Sequence, residues 1–316
     1  MTAVCTLFEE NYHHGLGALV NSLYKNGFRG IIWAGYRGNL PPWAIPTIYE
    51  TDYKTYEVAE DCKINFILLD TSYHLANYKP HFMLNLWKKY AVEAKHLIYF
   101  DPDIALKCEW NFINTWTSQH IALCEDLNSP IFAKDPERLS WKQMLSNHNL
   151  ELPLILEQYL NSGFMGLSKK YIQFLETWKT ILEIIHAEVR PLNCSFIPQV
   201  KGKQYHNSPT HVFYRMDQDA FNATAMLYHE HLSIASKKSM DFDAIGYIMS
   251  HAVGTGKPWE VSYIKAFLEG KGIKPSHKEY WKNTTFPISI YPKSKLRRKL
   301  FTIKVASFLS RFYFRK

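Results

Sequence analysis

The chain has 316 residues, of which 47% are apolar, enough to bury a substantial core and to argue against global disorder. Its net charge of +8 comes from the end of the chain, because residues 293–316 include nine basic residues and no acidic one. The other 28 basic and 29 acidic residues nearly cancel, which argues against a nucleic-acid-binding body.

The first half of the sequence alternates between short apolar runs and amphipathic stretches. Apolar runs of strand length occupy residues 3–7, 30–34, 64–69, 96–100 and 120–123. Apolar residues at helical spacing lie between them, at 16–23 and 82–90. Strands that alternate with helices predict an α/β, doubly wound fold, in which helices flank a mainly parallel sheet.

The second half begins after a stretch at 129–153 that we interpret as rich in loops. A further strand is expected at 160–167, and a regular amphipathic helix at 171–185. Residues 191–209 contain three prolines and predict an irregular loop that could cover a site. We therefore expect one catalytic domain over 1–285 and a basic, amphipathic C-terminal tail over 286–316.

Two carboxylates follow the apolar run 96–100, in the order Asp101-Pro102-Asp103. In extended backbone, side chains two residues apart point to the same side. Ligands of open α/β sheets bind beyond the carboxyl ends of the strands. Hard oxygen donors at such a place suit Mg²⁺ or Mn²⁺ carried by a diphosphate.

A second segment, His251-Ala252-Val253-Gly254-Thr255-Gly256-Lys257-Pro258-Trp259, has the pattern H-x-x-G-x-x-K-P-W. It provides an imidazole that can bind a metal and a glycine that lets backbone approach a phosphate. Lys257 can balance phosphate charge. The alternative is a glycine-rich turn with an incidental histidine and a structural tryptophan.

These two segments resemble those of glycosyltransferase family 8, which includes bacterial lipopolysaccharide galactosyltransferases and glucosyltransferases, and glycogenin. Asn161-Ser162-Gly163, and Asp217-Gln218-Asp219 followed by Asn222, fit the same family pattern in the same order. Asn11-Tyr12 resembles the segment that holds the base of the donor nucleotide. The resemblance implies a GT-A type, Rossmann-like fold and a retaining transfer of a hexose from a nucleotide-sugar donor, with a UDP-sugar expected.

The resemblance also implies residue roles. Asp101, Asp103 and His251 would coordinate Mn²⁺ or Mg²⁺, and Gly254 and Lys257 would contact the phosphates. The residues implied around the base and the transferred sugar are Asn11, Tyr12, Asn161, Ser162, Asp217, Gln218 and Asp219, with Asp219 next to the reacting carbon. The expected partners are a UDP-hexose and a saccharide or glycolipid acceptor, and no nucleic acid.

Other residues have alternative interpretations. Lys79, which opens the helix near Phe82, could reach a donor phosphate or be solvated. Glu125 and Asp126 follow a strand and would either line the acceptor side or form a turn. His13 and His14 are interpreted as ordinary polar residues of the first loop.

The sequence is also compatible with two other functions. One is a catalytically silent sugar-binding protein on the same fold, although such a protein need not keep both aspartates, His251 and Lys257. The other is a phosphohydrolase of the haloacid dehalogenase type with Asp101 as nucleophile. Those enzymes usually place their D-x-D after the first strand, whereas this one follows about a hundred residues of chain.

The C-terminal tail combines a basic cluster with an apolar stripe. On a helix, Phe301, Val305, Phe308, Leu309 and Phe312 share one face, while Leu296, Leu300 and Ile303 lie opposite. This pattern predicts binding to an anionic membrane surface, and a helix packed on the domain is the alternative. An odd number of widely spaced cysteines, no signal peptide and no bilayer-spanning run predict a cytoplasmic enzyme held at the inner membrane face.

Overall fold

The structure is a computed structural model that describes residues 1–194 and 212–309. The strands are β1 (Thr2–Glu9), β2 (Gly30–Arg37), β3 (Ile48–Tyr49), β4 (Lys54–Ala59), β5 (Cys62–Leu68), β6 (His96–Phe100), β7 (Ile104–Leu106), β8 (Ile121–Glu125), β9 (Leu160–Ser168), β10 (Leu232–Ala235) and β11 (Met249–His251). The helices are α1 (His13–Lys25), α2 (Lys79–Asn85), α3 (Trp110–Gln119), α4 (Pro136–Ser146), α5 (Ile172–Glu188), α6 (Met216–Leu227), α7 (Tyr263–Leu268), α8 (Pro275–Lys282) and α9 (Lys293–Leu309).

The chain forms two compact units, each assembled from three stretches. The first unit comprises Met1–Leu7, Leu69–Phe100 and Asn114–Lys237, and the second comprises Phe8–Leu68, Asp101–Ile113 and Lys238–Lys316. The expected tail therefore belongs to the second unit, while the expected boundary at 285/286 stays a prediction.

In the first unit, the strand order is β10-β8-β9-β6-β1. β1 pairs with β6 and β8 with β10 in parallel, whereas β9 runs antiparallel to both β6 and β8. All nine residues of β9 are buried, and α5 packs against α2 and α6. Phe174, Trp178 and Phe221 fill the space between α5 and α6.

In the second unit, β2 and β5 pair in parallel, and β4 and β3 continue the sheet in antiparallel fashion. A separate antiparallel pair joins β7 to β11, and helices α1 and α8 pack on it. Gly15 lies where α1 meets the turn before β7, because a Cβ there would come within 2.5 Å of the carbonyl oxygen of Pro102. This close approach requires glycine.

The prediction of an α/β fold with mostly parallel strands and flanking helices is confirmed. In the first unit, β9 runs antiparallel to its neighbours β6 and β8. In the second unit, β4 runs antiparallel to its neighbours β3 and β5. Each apolar run expected as a strand lies within one, except that Leu69 follows the end of β5 and His120 precedes the start of β8. The GT-A assignment stays a prediction.

The interpretation of 129–153 as loop was wrong in part, because Asp135 caps the start of α4 there. Most of the expected loop at 191–209 lies outside the described residues.

No helix among the described residues is both long enough and apolar enough to cross a membrane. The five cysteines, which all lie in the described part of the chain, carry free thiols.

Candidate functional site

The pairing of β7 with β11 brings distant parts of the sequence together. β6 ends at Phe100, and the carbonyl of Asp101 accepts from Ile104 N at 3.1 Å in the turn that leads into β7. His251, the last residue of β11, lies opposite Ile104 in the register. Ala252 N then donates to the carbonyl of Asp103 at 3.1 Å. Backbone hydrogen bonds therefore hold His251 beside both aspartates.

Three side chains converge at this point. His251 Nε2 lies 3.1 Å from Asp103 Oδ1 and 3.8 Å from Asp101 Oδ2. One ligand atom from each residue lies within 4.8 Å of the other two. Metal–ligand bonds of about 2.1 Å place ligand atoms at such separations around a single ion. Asp103 and His251 are buried, and Asp101 keeps about a quarter of its side chain exposed.

The donor set fits a divalent ion. Two carboxylates and an imidazole suit Mn²⁺ or Mg²⁺ better than a soft metal, which prefers thiolates. The other nitrogen of His251, Nδ1, is buried without a hydrogen-bond partner among the described residues, and Nε2 faces the carboxylates. The structure thus confirms a potential metal cluster, and the identity of the ion stays a prediction.

Lys257 makes an ion pair with the same cluster. Its Nζ donates to Asp103 Oδ2 at 2.6 Å and to the carbonyl of Ala252 at 2.8 Å. Burial alone would raise the pKa of Asp103, but the charges and hydrogen bonds of His251 and Lys257 outweigh it, so that this pKa is lowered. Burial would lower the pKa of Lys257, but Asp103 raises it. Both groups are therefore charged at neutral pH.

The loop between His251 and Lys257 contains two glycines in left-handed backbone conformation. Gly254 has φ +81° and Gly256 has φ +74°. Such φ values favour glycine. A Cβ at Gly254 would meet no atom within 4 Å, so its surface is open to a ligand.

Tyr12 lies beside Lys257, whose ammonium is 5.5 Å from the ring centroid. The ring also packs edge-on against Trp259 at 5.5 Å. Burial is the main cause that raises the pKa of Tyr12, so the phenol is neutral. Asn11, in the same short turn, is exposed. Five expected residues of the second unit, Tyr12, Asp101, Asp103, His251 and Lys257, are thus brought together.

His13 and His14 were expected in a loop, and that expectation was wrong. They form the first turn of α1, and the His14 ring stacks on Tyr291 at 4.9 Å. Burial lowers the pKa of His14 to about 3, so this ring is neutral. Each has a buried Nδ1 without a partner among the described residues.

In the first unit, the start of β9 faces the start of α6. Ser162 Oγ donates to Asp217 Oδ2 at 2.7 Å, and Ser162 N donates to Gln218 Oε1 at 3.4 Å. Lys79 Nζ donates to the carbonyl and hydroxyl of Ser162 at 3.0 and 3.2 Å, and it lies 3.6 Å from Asp217 Oδ2. The interpretation of Lys79 as a solvated lysine was wrong, because it is 3% exposed.

Asp219 is fully buried and its oxygens are occupied. Tyr159 Oη donates to Oδ1 at 2.5 Å, while Arg215 donates from its backbone N to Oδ2 at 2.8 Å and from Nε to Oδ1 at 3.3 Å. Arg215 also pairs with Glu137 at 3.0 Å. Burial raises the pKa of Asp219 to about 6, against the opposing effect of Arg215. Tyr159 and Arg215 were not predicted from the sequence.

The amide of Asn161 is also occupied. Its Nδ2 donates to Asp126 Oδ2 at 2.7 Å, and its Oδ1 accepts from Gly163 N at 2.9 Å. Asp126 is buried and forms part of a turn with Asn128. The turn interpretation of Asp126 is therefore the one that the structure supports.

No protein-family model matches the chain, and no curated protein matches it. We therefore infer its function from the geometry of these side chains.

Proposed function

We propose that the chain is a metal-dependent, retaining glycosyltransferase that moves a hexose from a UDP-sugar to a saccharide or lipid-linked acceptor. The observation that carries the proposal is the convergence of Asp101, Asp103 and His251, with Lys257 and Tyr12 beside them. A site for a nucleoside diphosphate needs a cation site, a further positive charge and an aromatic surface for the base.

Asp101, Asp103 and His251 would hold the divalent ion. When bound, the ion stabilises the negative charge of the departing diphosphate. Lys257 supplies a second positive charge for the phosphates, and the open backbone at Gly254 lets them approach. Tyr12 presents an aromatic face to the base, with Asn11 exposed next to it.

For the first unit, we propose that Asp217 and Gln218 contact a sugar. Lys79 and Ser162 fix the Asp217 carboxylate, which leaves Gln218 as the more exposed of the two. Asp219 and Asn161 have their polar atoms engaged within the protein, so we give them the role of positioning their neighbours.

The geometry gives less support to a phosphohydrolase. If Asp101 were the nucleophile, Asp103 could donate a proton to the leaving group only in its protonated form. Here Lys257 and His251 lower the pKa of Asp103, which keeps it ionised.

Calorimetry with UDP tests the donor assignment. We expect UDP to bind in the presence of Mn²⁺ and to bind far more weakly in EDTA, because Asp101, Asp103 and His251 would hold an ion whose positive charge favours the diphosphate. Equal affinity in both conditions would exclude metal-dependent binding of the nucleotide.

We also propose that α9 holds the enzyme at an anionic membrane surface. Phe301 and Phe308 are 66% and 57% exposed, while Ala306 on the other side is buried. α9 packs on α7, and Lys299 Nζ donates to the carbonyl of Val261 at 2.9 Å. The apolar residues opposite the stripe, Leu296, Leu300 and Ile303, are half-buried. Phe312 lies outside the described residues.

Exposed aromatic residues beside basic ones suit the surface of an anionic bilayer. Each basic residue near such a surface contributes about 1 kcal/mol. We expect the full chain to co-sediment with anionic liposomes and a chain that ends at Pro292 to remain in the supernatant. A full-length variant with Phe301→Ser and Phe308→Ser keeps the charge and should bind more weakly. Equal sedimentation of all three proteins would contradict the membrane proposal.

A further inference from the structure

The ammonium of Lys257 contacts the Asp103 carboxylate, which is also one of the three groups that could hold a metal ion. It contacts Asp103 Oδ2 at 2.6 Å, while Oδ1 of the same carboxylate faces His251 at 3.1 Å. Only 4% of the Asp103 side chain is exposed. An ion that binds here would meet a carboxylate whose charge Lys257 already neutralises. The positive charges of the ion and of the Lys257 ammonium would repel each other.

The backbone of Lys257 is fixed, but its ammonium is on a flexible stem. Lys257 N donates to Glu260 Oε2 at 3.1 Å, and Glu260 N and Val261 N donate to the carbonyl of Lys257 at 2.8 and 3.1 Å. Release of Asp103 therefore requires rotation of a side chain with four rotatable bonds and loss of its hydrogen bond to the carbonyl of Ala252 at 2.8 Å. The Tyr12 ring, 5.5 Å from Nζ, provides an aromatic face toward which the ammonium can move.

We propose that Lys257 occupies the metal-binding carboxylate of Asp103 until a diphosphate attracts its ammonium, so that the divalent ion and the diphosphate bind cooperatively. The diphosphate part rests on the proposed function. The balance of charge explains the cooperativity. Two aspartates and one lysine leave a single negative charge for an incoming cation. When a diphosphate pairs with Lys257, the Asp103 carboxylate is free to bind the metal. By linkage, each ligand then raises the affinity for the other by the same factor.

The first test measures Mn²⁺ binding alone, by the loss of the free-ion EPR signal, without any nucleotide. We expect Lys257→Met to bind Mn²⁺ at least about tenfold more tightly than wild type, since it keeps the length of the stem but frees Asp103. Lys265→Met removes an exposed lysine of α7 in the same unit and should leave the affinity within about twofold. Circular dichroism checks the fold, and Lys257→Gln provides a second variant.

Unchanged or weaker Mn²⁺ binding by both Lys257 variants would overturn the inference, as would a similar gain in Lys265→Met. This arm contains no nucleotide, so it can succeed even if UDP does not bind, and it can fail while sugar transfer is still observed.

The second test repeats the titration with inorganic pyrophosphate, corrected for the ion–pyrophosphate complex in solution. Pyrophosphate should strengthen Mn²⁺ binding to wild type by a larger factor than to Lys257→Met. An equal factor in the two proteins would overturn the cooperative part of the inference.

Discussion

Asp103→Ala is expected to abolish Mn²⁺ binding and, with it, metal-dependent release of UDP from a donor. Asp103 is the buried member of the cluster that touches both His251 and Lys257. Loss of a residue that only supports a ligand typically costs 10- to 100-fold in metal affinity. The loss of a ligand itself should therefore cost at least about 100-fold. EPR titration of Mn²⁺ measures it.

Two further variants make this result specific. Asp103→Asn keeps the shape of the side chain and should also lose Mn²⁺ binding, because an amide is a poorer ligand for a hard cation. Asp243→Ala removes an exposed aspartate of the same unit and should bind as wild type does. Wild-type affinity in Asp103→Ala would remove Asp103 from the metal site.

Asp219→Ala is expected to lower the free energy of unfolding by about 3–5 kcal/mol, the usual cost of removing one partner from a buried charge pair. The substitution leaves the Tyr159 hydroxyl and the Arg215 guanidinium without their shared acceptor. Glu137→Ala is the matched control, because Glu137 pairs with the same arginine but is 42% exposed. Such exposed pairs contribute about 0–1 kcal/mol. Urea unfolding measures both, and equal losses would contradict the proposed positioning role of Asp219.

The difference in stability between wild type and Asp219→Ala should change with pH in a defined direction. Burial raises the pKa of Asp219 to about 6, above the value of an unfolded aspartate, so the folded protein binds the extra proton between about pH 4 and 6. The part of the stability that comes from this extra proton is present at low pH and is lost as the pH rises through 6. The difference between wild type and Asp219→Ala should therefore widen when the pH falls from 7 to 5. A difference that narrows would contradict the raised pKa.

The individual strands and helices were largely predictable, because long apolar runs and apolar residues at regular spacing indicate these elements clearly. β9 and α5 are examples, as both are long and bury most of their apolar residues. α4 was missed because its sequence is mostly polar and only Arg138, Trp141 and Leu145 are buried. The order Asp135-Pro136-Glu137 could have predicted its start, since aspartate favours the N-cap and proline the first turn.

The grouping of residues was harder to predict than their identity. His251 reaches the aspartates through β7 and β11, two strands of three residues that are too short to show a period. Only the D-x-D and H-x-x-G-x-x-K-P-W motifs indicated that His251 and the aspartates belong to one site. Tyr159 and Arg215 flank the segments at 161–163 and 217–219, and nothing in the local sequence indicates that they pair with Asp219. Burial of a carboxylate requires such partners, and their positions depend on tertiary packing.

The most direct test of sugar transfer is the incubation of the wild-type protein with a panel of UDP-hexoses, in Mn²⁺ and in EDTA, followed by NMR. We expect UDP to be released from at least one donor in Mn²⁺ only, and the product to keep the anomeric configuration of the donor. UDP release that is equally fast in EDTA, or a product with inverted configuration, would contradict this expectation.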